Sequence, residues 1–117
     1  MSTILRLAMA MVIAIPAAAH AQDLATGDAI RAAVTGNTVQ GSMSASGAYT
    51  EFYAEDGTIK GANYAGKWTV EGDLMCFAYD AAPDCWAARI DGETVTWIKD
   101  GADGGTGTIL PGNPNAF

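Results

Sequence analysis

Histidine and basic residues are scarce in this sequence. It has a single histidine, His20, and only 6 lysine and arginine residues stand against 13 aspartate and glutamate residues, a net charge of −7 at pH 7. So acidic a chain of 117 residues is not expected to bind nucleic acid or anionic membranes, because both repel negative charge. The sequence also lacks a P-loop, a dinucleotide-binding fingerprint and a G-x-S-x-G motif, which removes common enzyme signatures.

Long hydrophobic runs are also missing, apart from one at the N-terminus. Sixteen of residues 1–21 are apolar and none is acidic, and Ala19-His20-Ala21 ends the segment as a small-x-small motif. This order predicts a secretory signal peptide that is cleaved after Ala21. The apolar run, Leu7 to Ile15, is too short to span about 30 Å of hydrocarbon. We therefore expect residues 22–117 to form a single periplasmic or secreted domain, monomeric and without a transmembrane segment.

Cleavage would remove the only imidazole from the protein. Catalysis by a Ser–His or Cys–His pair and a zinc site of His and Cys are then excluded. The carboxylates that remain, such as Asp80, Asp84, Glu51 and Glu55, stand at predicted turns, whereas a paired-carboxylate hydrolase needs a cleft. We expect a non-catalytic protein with no catalytic residue, no cofactor and no metal.

Only two cysteines are present, Cys76 and Cys85. An exported protein meets an oxidising compartment, so a structural disulfide is the favoured interpretation. Closing so short a loop stabilises the fold by roughly 2–3 kcal/mol. The alternative, a redox or metal-binding pair, lacks the C-x-x-C spacing and a third ligand.

Turn signals recur along the chain between short aromatic and β-branched segments. They are Asp56-Gly57, Gly72-Asp73, Asp91-Gly92 and Asp100-Gly101. This spacing predicts a mainly β domain, an antiparallel meander of about eight strands that forms a barrel or an open curled sheet. One short helix is expected first, over Gly27–Val34, with Thr26 as its N-cap and Gly36 at its end. The last strand is expected at Thr106–Leu110, after a glycine-rich loop.

The central hairpins allow the strand register to be predicted. Two-residue turns place three pairs opposite each other: Val70 with Met75, Trp68 with Phe77, and Trp86 with Trp97. A disulfide requires Cys76 to lie opposite Cys85. Together these constraints put Trp68, Trp86 and Trp97 on one face, as core residues or as the lining of a ligand cavity.

The hairpin around Asp56-Gly57 predicts a different surface. Phe52, Ala54 and Ile59 are expected on its apolar face. Tyr49, Tyr53 and Tyr64, with Glu51 among them, are then expected on the opposite face, which makes them a candidate interaction surface. The alternative is ordinary cross-strand pairing on a solvated face.

Part of the chain resembles a group of small exported bacterial proteins of unknown function that carry a dG…G-x-W…LC…C pattern. The matching residues run from Asp56-Gly57 through Gly66-Lys67-Trp68 to Leu74-Met75-Cys76 and Cys85. This resemblance implies a compact β-domain and brings no catalytic residue.

A weaker similarity is to the bacterial metalloprotease inhibitors, periplasmic eight-stranded barrels with a G-x-W motif and one disulfide. Their inhibiting N-terminal trunk corresponds to the stretch after Gln22. The cysteines here are closer together and that stretch is predicted to be helical, so no inhibitory residue is carried over.

Three functions follow as hypotheses. The first is a non-catalytic domain that binds a protein or a cell-envelope component through Tyr49, Tyr53 and Tyr64. The alternatives are inhibition of a secreted hydrolase, either a protease or a lysozyme, and carriage of a small ligand in a barrel cavity.

Overall fold

The computed structural model describes residues 23–117, which form a barrel of eight antiparallel strands preceded by one helix. The elements are α1 (Gly27–Val34), β1 (Asn37–Met43), β2 (Gly47–Tyr53), β3 (Thr58–Lys60), β4 (Ala65–Glu71), β5 (Leu74–Ala78), β6 (Asp84–Asp91), β7 (Thr94–Lys99) and β8 (Ala102–Leu110). Each strand pairs with the next, and β1 pairs with β8. The predicted mainly β fold is confirmed, in its barrel form. The signal peptide predicted for residues 1–21 lies outside the described residues.

The helix α1 closes one end of the barrel. Its predicted bounds and its N-cap are confirmed, since the Thr26 side chain accepts a hydrogen bond from the Ala29 amide at 3.2 Å. Ile30 and Val34 are fully buried and belong to the core. The Gly27 amide donates to Asp73 Oδ1 at 2.8 Å and so ties the helix to the β4–β5 turn. Among residues 23–117, no helix has the length and apolar character needed to span a bilayer.

The antiparallel topology gives the barrel two different ends. The β2–β3, β4–β5 and β6–β7 turns lie at the end that α1 covers, which we call the helix end. The other four connections, from β1–β2 to β7–β8, lie at the opposite end, which we call the open end. A barrel of eight strands is just wide enough inside to be filled by side chains or to hold one small ligand.

The predicted register of the central strands is confirmed in most positions. Three pairs lie opposite each other as expected: Val70 with Met75, Trp68 with Phe77, and Cys76 with Cys85. The two cysteines form the predicted disulfide. The short two-residue turn at Gly72-Asp73 fixes the register between β4 and β5. Strand side chains alternate between faces, so any slip by one residue would expose the core.

The predicted pairing of Trp86 with Trp97 is wrong. Trp97 lies opposite Ala88, and Asp91 pairs with Thr94, so the turn is one residue further along than expected. The register therefore shifts by two residues. Because side chains repeat on the same face every two residues, Trp97 still points inward and is 2% exposed.

The predicted faces of β2 are also wrong. Tyr53 lies opposite Ile59, and these two side chains are 1% and 0% exposed. The connection between the strands spans four residues, 54 to 57, and is closed by a hydrogen bond of 2.8 Å from the Ala54 amide to the Thr58 carbonyl. The expected two-residue turn would have paired the strands one position differently, and a slip of one residue reverses every side chain. Tyr49 and Glu51 therefore share the inner face with Tyr53, and Phe52 faces outward.

Strand β8 begins at Ala102, four residues before the predicted strand, and it closes the barrel against β1. Glycine disfavours strands, but it lets two backbones approach closely. Gly41 of β1 lies opposite Gly107 of β8, and a Cβ atom on Gly41 would overlap the Thr106 carbonyl oxygen and lie 2.5 Å from the Gly107 Cα. The glycines of this segment therefore form a seam between two strands rather than a loop.

Candidate functional site

A cavity of about 560 Å³ opens at the open end of the barrel. Its wall contains all four tyrosines of the sequence, Phe77, and two of the three tryptophans. Three carboxylates, Glu51, Asp80 and Asp84, also line it. Cavities that bind small molecules in proteins range from about 300 to 1,000 Å³ and combine aromatic walls with a few polar groups. The size and the composition of this cavity both fall within that description.

The carboxylate of Glu51 lies at the centre of a tyrosine cluster in the cavity wall. Glu51 is only 6% exposed. The Tyr53 hydroxyl donates to Oε1 and the Tyr64 hydroxyl donates to Oε2, both at 2.8 Å. The Tyr79 hydroxyl lies 2.9 Å from Oε1 and 2.7 Å from Oε2, so its single proton is shared between them. Three protons therefore reach a group that has about four acceptor positions.

Among residues 23–117, no ion pair accompanies this buried carboxylate. The ion pairs of residues 23–117 use Asp28, Asp84 and Asp103, and none of them includes Glu51. Buried carboxylates in proteins are usually paired with a cation as well as hydrogen-bonded. The Glu51 site thus has its hydrogen bonds but not its counter-charge.

The tyrosines of the cluster are held in their protonated form. Burial raises the pKa of Tyr53, Tyr64 and Tyr79 above the usual value, and the negative charge of Glu51 raises it further. Each hydroxyl keeps its proton and remains a donor through neutral and mildly alkaline pH. The cluster is therefore a stable polar site within an apolar wall.

A second set of contacts fixes the inner part of the cavity. The Trp97 indole N–H donates to the Tyr49 hydroxyl at 3.0 Å, and that hydroxyl donates to the Thr106 carbonyl at 3.1 Å. The rings of Phe77 and Trp97 pack edge to face with their centroids 5.3 Å apart. These contacts join β2, β5, β7 and β8, so the inner wall is built from side chains with few free rotamers.

Two half-exposed tyrosines form the rim of the cavity. Tyr64 and Tyr79 are 44% and 41% exposed, and their rings meet edge to face at 6.0 Å. Glycines make room for both rings. A Cβ atom on Gly66 would lie 2.7 Å from the Tyr79 ring, and one on Gly61 would overlap the Tyr64 ring. The absence of side chains at these two positions lets the tyrosines reach Glu51.

The rim also contains an ammonium group that is already paired. Lys99 forms an ion pair with Asp84, donates to the Cys85 carbonyl at 2.9 Å, and lies 5.3 Å from the centre of the Trp86 ring. The Trp86 indole N–H donates to Asp84 Oδ2 at 3.0 Å. The Lys99 hydrogen bond lowers the pKa of Asp84. This group shows that the rim accommodates an alkylammonium against an aromatic ring and a carboxylate.

The predicted disulfide supports this part of the site. The loop between Cys76 and Cys85 contains Tyr79 and Asp80, and Asp84 stands beside Cys85. Joining the two strands next to this loop restricts how far its residues can move. The disulfide therefore helps to hold one half of the rim.

The three predicted tryptophans fall into two groups. Trp86 and Trp97 line the cavity. Trp68 does not: it is 8% exposed, belongs to the core and donates to the Ala54 carbonyl at 3.0 Å, near the helix end. Of the two interpretations that the sequence left open, the core applies to Trp68, the cavity lining applies to Trp86, and both apply to Trp97, which is 2% exposed.

The three predicted tyrosines do come together, but inside the barrel and not on its outer surface. Tyr53 is buried, Tyr49 lies in the wall, and only Tyr64 is exposed at the rim. The prediction of an outward-facing strip is therefore wrong, because the β2 register differs by one residue. Sequence reasoning missed Tyr79. Continuing the alternation of inward residues from Met75 and Phe77 by one more step would have found it.

The described residues offer no site of the kind that holds a metal ion. Among residues 23–117, no group of three or more His, Cys, Asp or Glu side chains lies close enough together. The polar chemistry of the cavity is thus that of one buried carboxylate and phenolic donors, beside two carboxylates near the rim.

A scan of protein-family models, a search of curated proteins and a search of solved structures each found no match to this chain. What the protein does is therefore inferred from the chemistry of the cavity itself.

Proposed function

We propose that this protein is a non-catalytic binding protein that holds a small organic molecule in the open end of its barrel. The observation that carries this proposal is the cavity of about 560 Å³, closed at the helix end and walled by aromatic side chains. A barrel that only needed a stable core would fill this space with aliphatic side chains. Here the space is left open and is lined by groups that can stack on a ligand and hydrogen-bond to it.

The cavity favours this function over the surface-binding hypothesis. A protein or envelope partner that docks on Tyr49, Tyr53 and Tyr64 needs all three at the surface, but Tyr53 is 1% exposed. Residues 23–117 offer no feature that specifically favours inhibition of a hydrolase, so that alternative stays a prediction. Small-ligand binding uses the same tyrosines in the positions they occupy.

We also propose that the protein works in the periplasm or outside the cell. The disulfide is compatible with an oxidising compartment. Mass spectrometry of the protein recovered from the cell envelope and the medium tests this, and the expected product begins at Gln22. A product found only in the cytoplasm at full length would contradict it.

A fluorescent probe tests ligand binding. N-phenyl-1-naphthylamine, a neutral dye, should become bright in the cavity and accept energy from Trp86 and Trp97, which line it. Met43→Trp puts a larger ring on the inner face of β1 in the cavity wall and should weaken binding by about tenfold or more, the equivalent of about 1.4 kcal/mol.

The matched control is Ala29→Trp, at an exposed position on α1, which should leave binding unchanged. If the two tryptophan variants bind the dye equally well, or if no small aromatic molecule binds at all, the proposed function is wrong.

A further inference from the structure

We infer that the ligand is an organic cation, an amine or a quaternary ammonium compound, whose charged nitrogen binds beside Glu51 between the aromatic walls. This inference rests on the proposed function, because it names the chemical class of the molecule that the cavity takes. It is supported by the burial of Glu51, by the charge of the cavity lining and by the aromatic walls.

The first observation is the unbalanced charge of Glu51. The side chain is 94% buried, since 6% of the residue is exposed, and no ion pair within residues 23–117 includes it. Three tyrosine hydroxyls donate to it, which stabilises the ionised form without neutralising it. Removing a carboxylate from water is unfavourable unless a cation compensates. A bound ammonium group provides that compensation, and Glu51 is one of the residues that line the cavity.

The second observation is the negative charge of the residues that line the cavity. Glu51, Asp80 and Asp84 line the cavity, and among the described residues that line it there is no lysine, arginine or histidine. The nearby ammonium of Lys99 is already bound to Asp84. An anionic ligand would therefore meet repulsion with no compensating partner, whereas a cation meets attraction from every charged group in the wall.

The third observation is the chemistry of the walls. Tyrosine and tryptophan rings attract cations to their faces, and recognition of quaternary ammonium groups commonly uses several such rings. The wall of this cavity contains four tyrosines and two tryptophans. At the rim, Lys99 already lies over Trp86 with its ammonium 5.3 Å from the ring centre. Inside the cavity, Glu51 and the aromatic rings offer the same combination of carboxylate and ring to the charged nitrogen of a ligand.

The experiment compares two ligands of the same shape that differ in charge. (3-Hydroxyphenyl)trimethylammonium and 3-tert-butylphenol are titrated by calorimetry into the unmodified protein. We expect the cation to bind more tightly than its neutral counterpart by about tenfold or more, the equivalent of about 1.4 kcal/mol. In Glu51→Gln this preference should disappear, with the neutral compound bound about as well as before. Glu55→Gln removes the same charge from an exposed residue at the helix end, and it should retain the full preference.

The outcomes separate the two proposals. Equal binding of both compounds to the unmodified protein overturns the inference while leaving the proposed function intact. If neither compound nor the neutral dye binds, the proposed function fails and the inference fails with it. The comparison in the unmodified protein does not depend on how well Glu51→Gln folds. Circular dichroism of that variant shows whether its titration reports on a native barrel, and a preference retained in a folded Glu51→Gln also overturns the inference.

Discussion

Alkaline pH should unfold this protein through its tyrosines. Burial is the largest cause that raises the pKa of all four tyrosines above the usual 10.0, and the charge of Glu51 raises it further. In the unfolded chain the same side chains titrate near 10. Above that pH the unfolded chain loses protons that the folded barrel retains. The stabilisation from these tyrosines is therefore complete below about pH 10 and is lost as the pH rises towards their folded pKa values.

The size of the effect follows from the number of protons. Each proton that the folded state keeps and the unfolded state loses lowers the free energy of unfolding by about 1.4 kcal/mol per pH unit. Tyr53, whose pKa is raised well above 10.0, gives this full amount, and Tyr49 adds to it until its own folded pKa is reached. Tyr64 and Tyr79 are 44% and 41% exposed, so solvent screening reduces their share. Small domains have a free energy of unfolding of about 5–15 kcal/mol. A loss of about 1.4–3 kcal/mol per pH unit brings the lower end of that range to zero about two to four units above pH 10, where we expect cooperative unfolding.

The assay follows tyrosinate absorbance and far-ultraviolet circular dichroism in parallel after a rapid pH jump. Tyrosinate should appear together with the loss of the β signal and not before it. Glu51→Gln removes one cause of the raised pKa values, so its folded barrel keeps fewer extra protons and its free energy of unfolding should fall less steeply above pH 10, whereas Glu55→Gln should behave like the unmodified protein. Tyrosines that titrate near pH 10 in a barrel with a native spectrum would refute the reasoning.

Three further predictions concern the stability of the barrel, and urea unfolding measures each of them. Replacing Cys76 and Cys85 by serine should lower the free energy of unfolding by roughly 2–3 kcal/mol, and an unchanged midpoint would contradict this. Gly41→Ala puts a methyl group against a backbone carbonyl of β8 and should cost about 1–3 kcal/mol; full stability would show that the seam can widen. Asp73→Ala removes the acceptor of the Gly27 amide and should cost about 1 kcal/mol, whereas Asp73→Asn should cost less.

The sequence predicts the fold best where several local signals agree. The helix Gly27–Val34 has a capping threonine before it and a glycine after it, and both of its bounds are confirmed. The predicted β4–β5 register is confirmed because the two-residue turn at Gly72-Asp73 sets it, and the β5–β6 register is confirmed because the disulfide puts Cys76 opposite Cys85. The number of strands fits a barrel and an open curled sheet equally, and it is the pairing of β1 with β8 that decides for the barrel.

The candidate site was harder to predict because it depends on a turn length. The connection from 54 to 57 contains an Asp-Gly pair, which is typical of two-residue turns, yet it forms a four-residue connection. That difference of one register position moves Tyr53 and Glu51 from the outside to the inside. The Glu51 cluster also needs Tyr79 from a different hairpin. No local pattern encodes a contact between β2 and the β5–β6 loop, which exists only after the barrel has closed.

The seam between β1 and β8 has a consequence for how the chain reaches its native state. Every other pairing joins strands that are neighbours along the chain, but this one brings Thr38 opposite Leu110. Closing so long a loop is entropically expensive, so it follows the local hairpins in time. Until it forms, β1 and β8 are both unpaired edges on which another chain can add a strand. The last event in folding is thus the one that protects the protein from aggregation. It depends on the absence of side chains at Gly41 and Gly107, which lets the backbones of β1 and β8 approach each other.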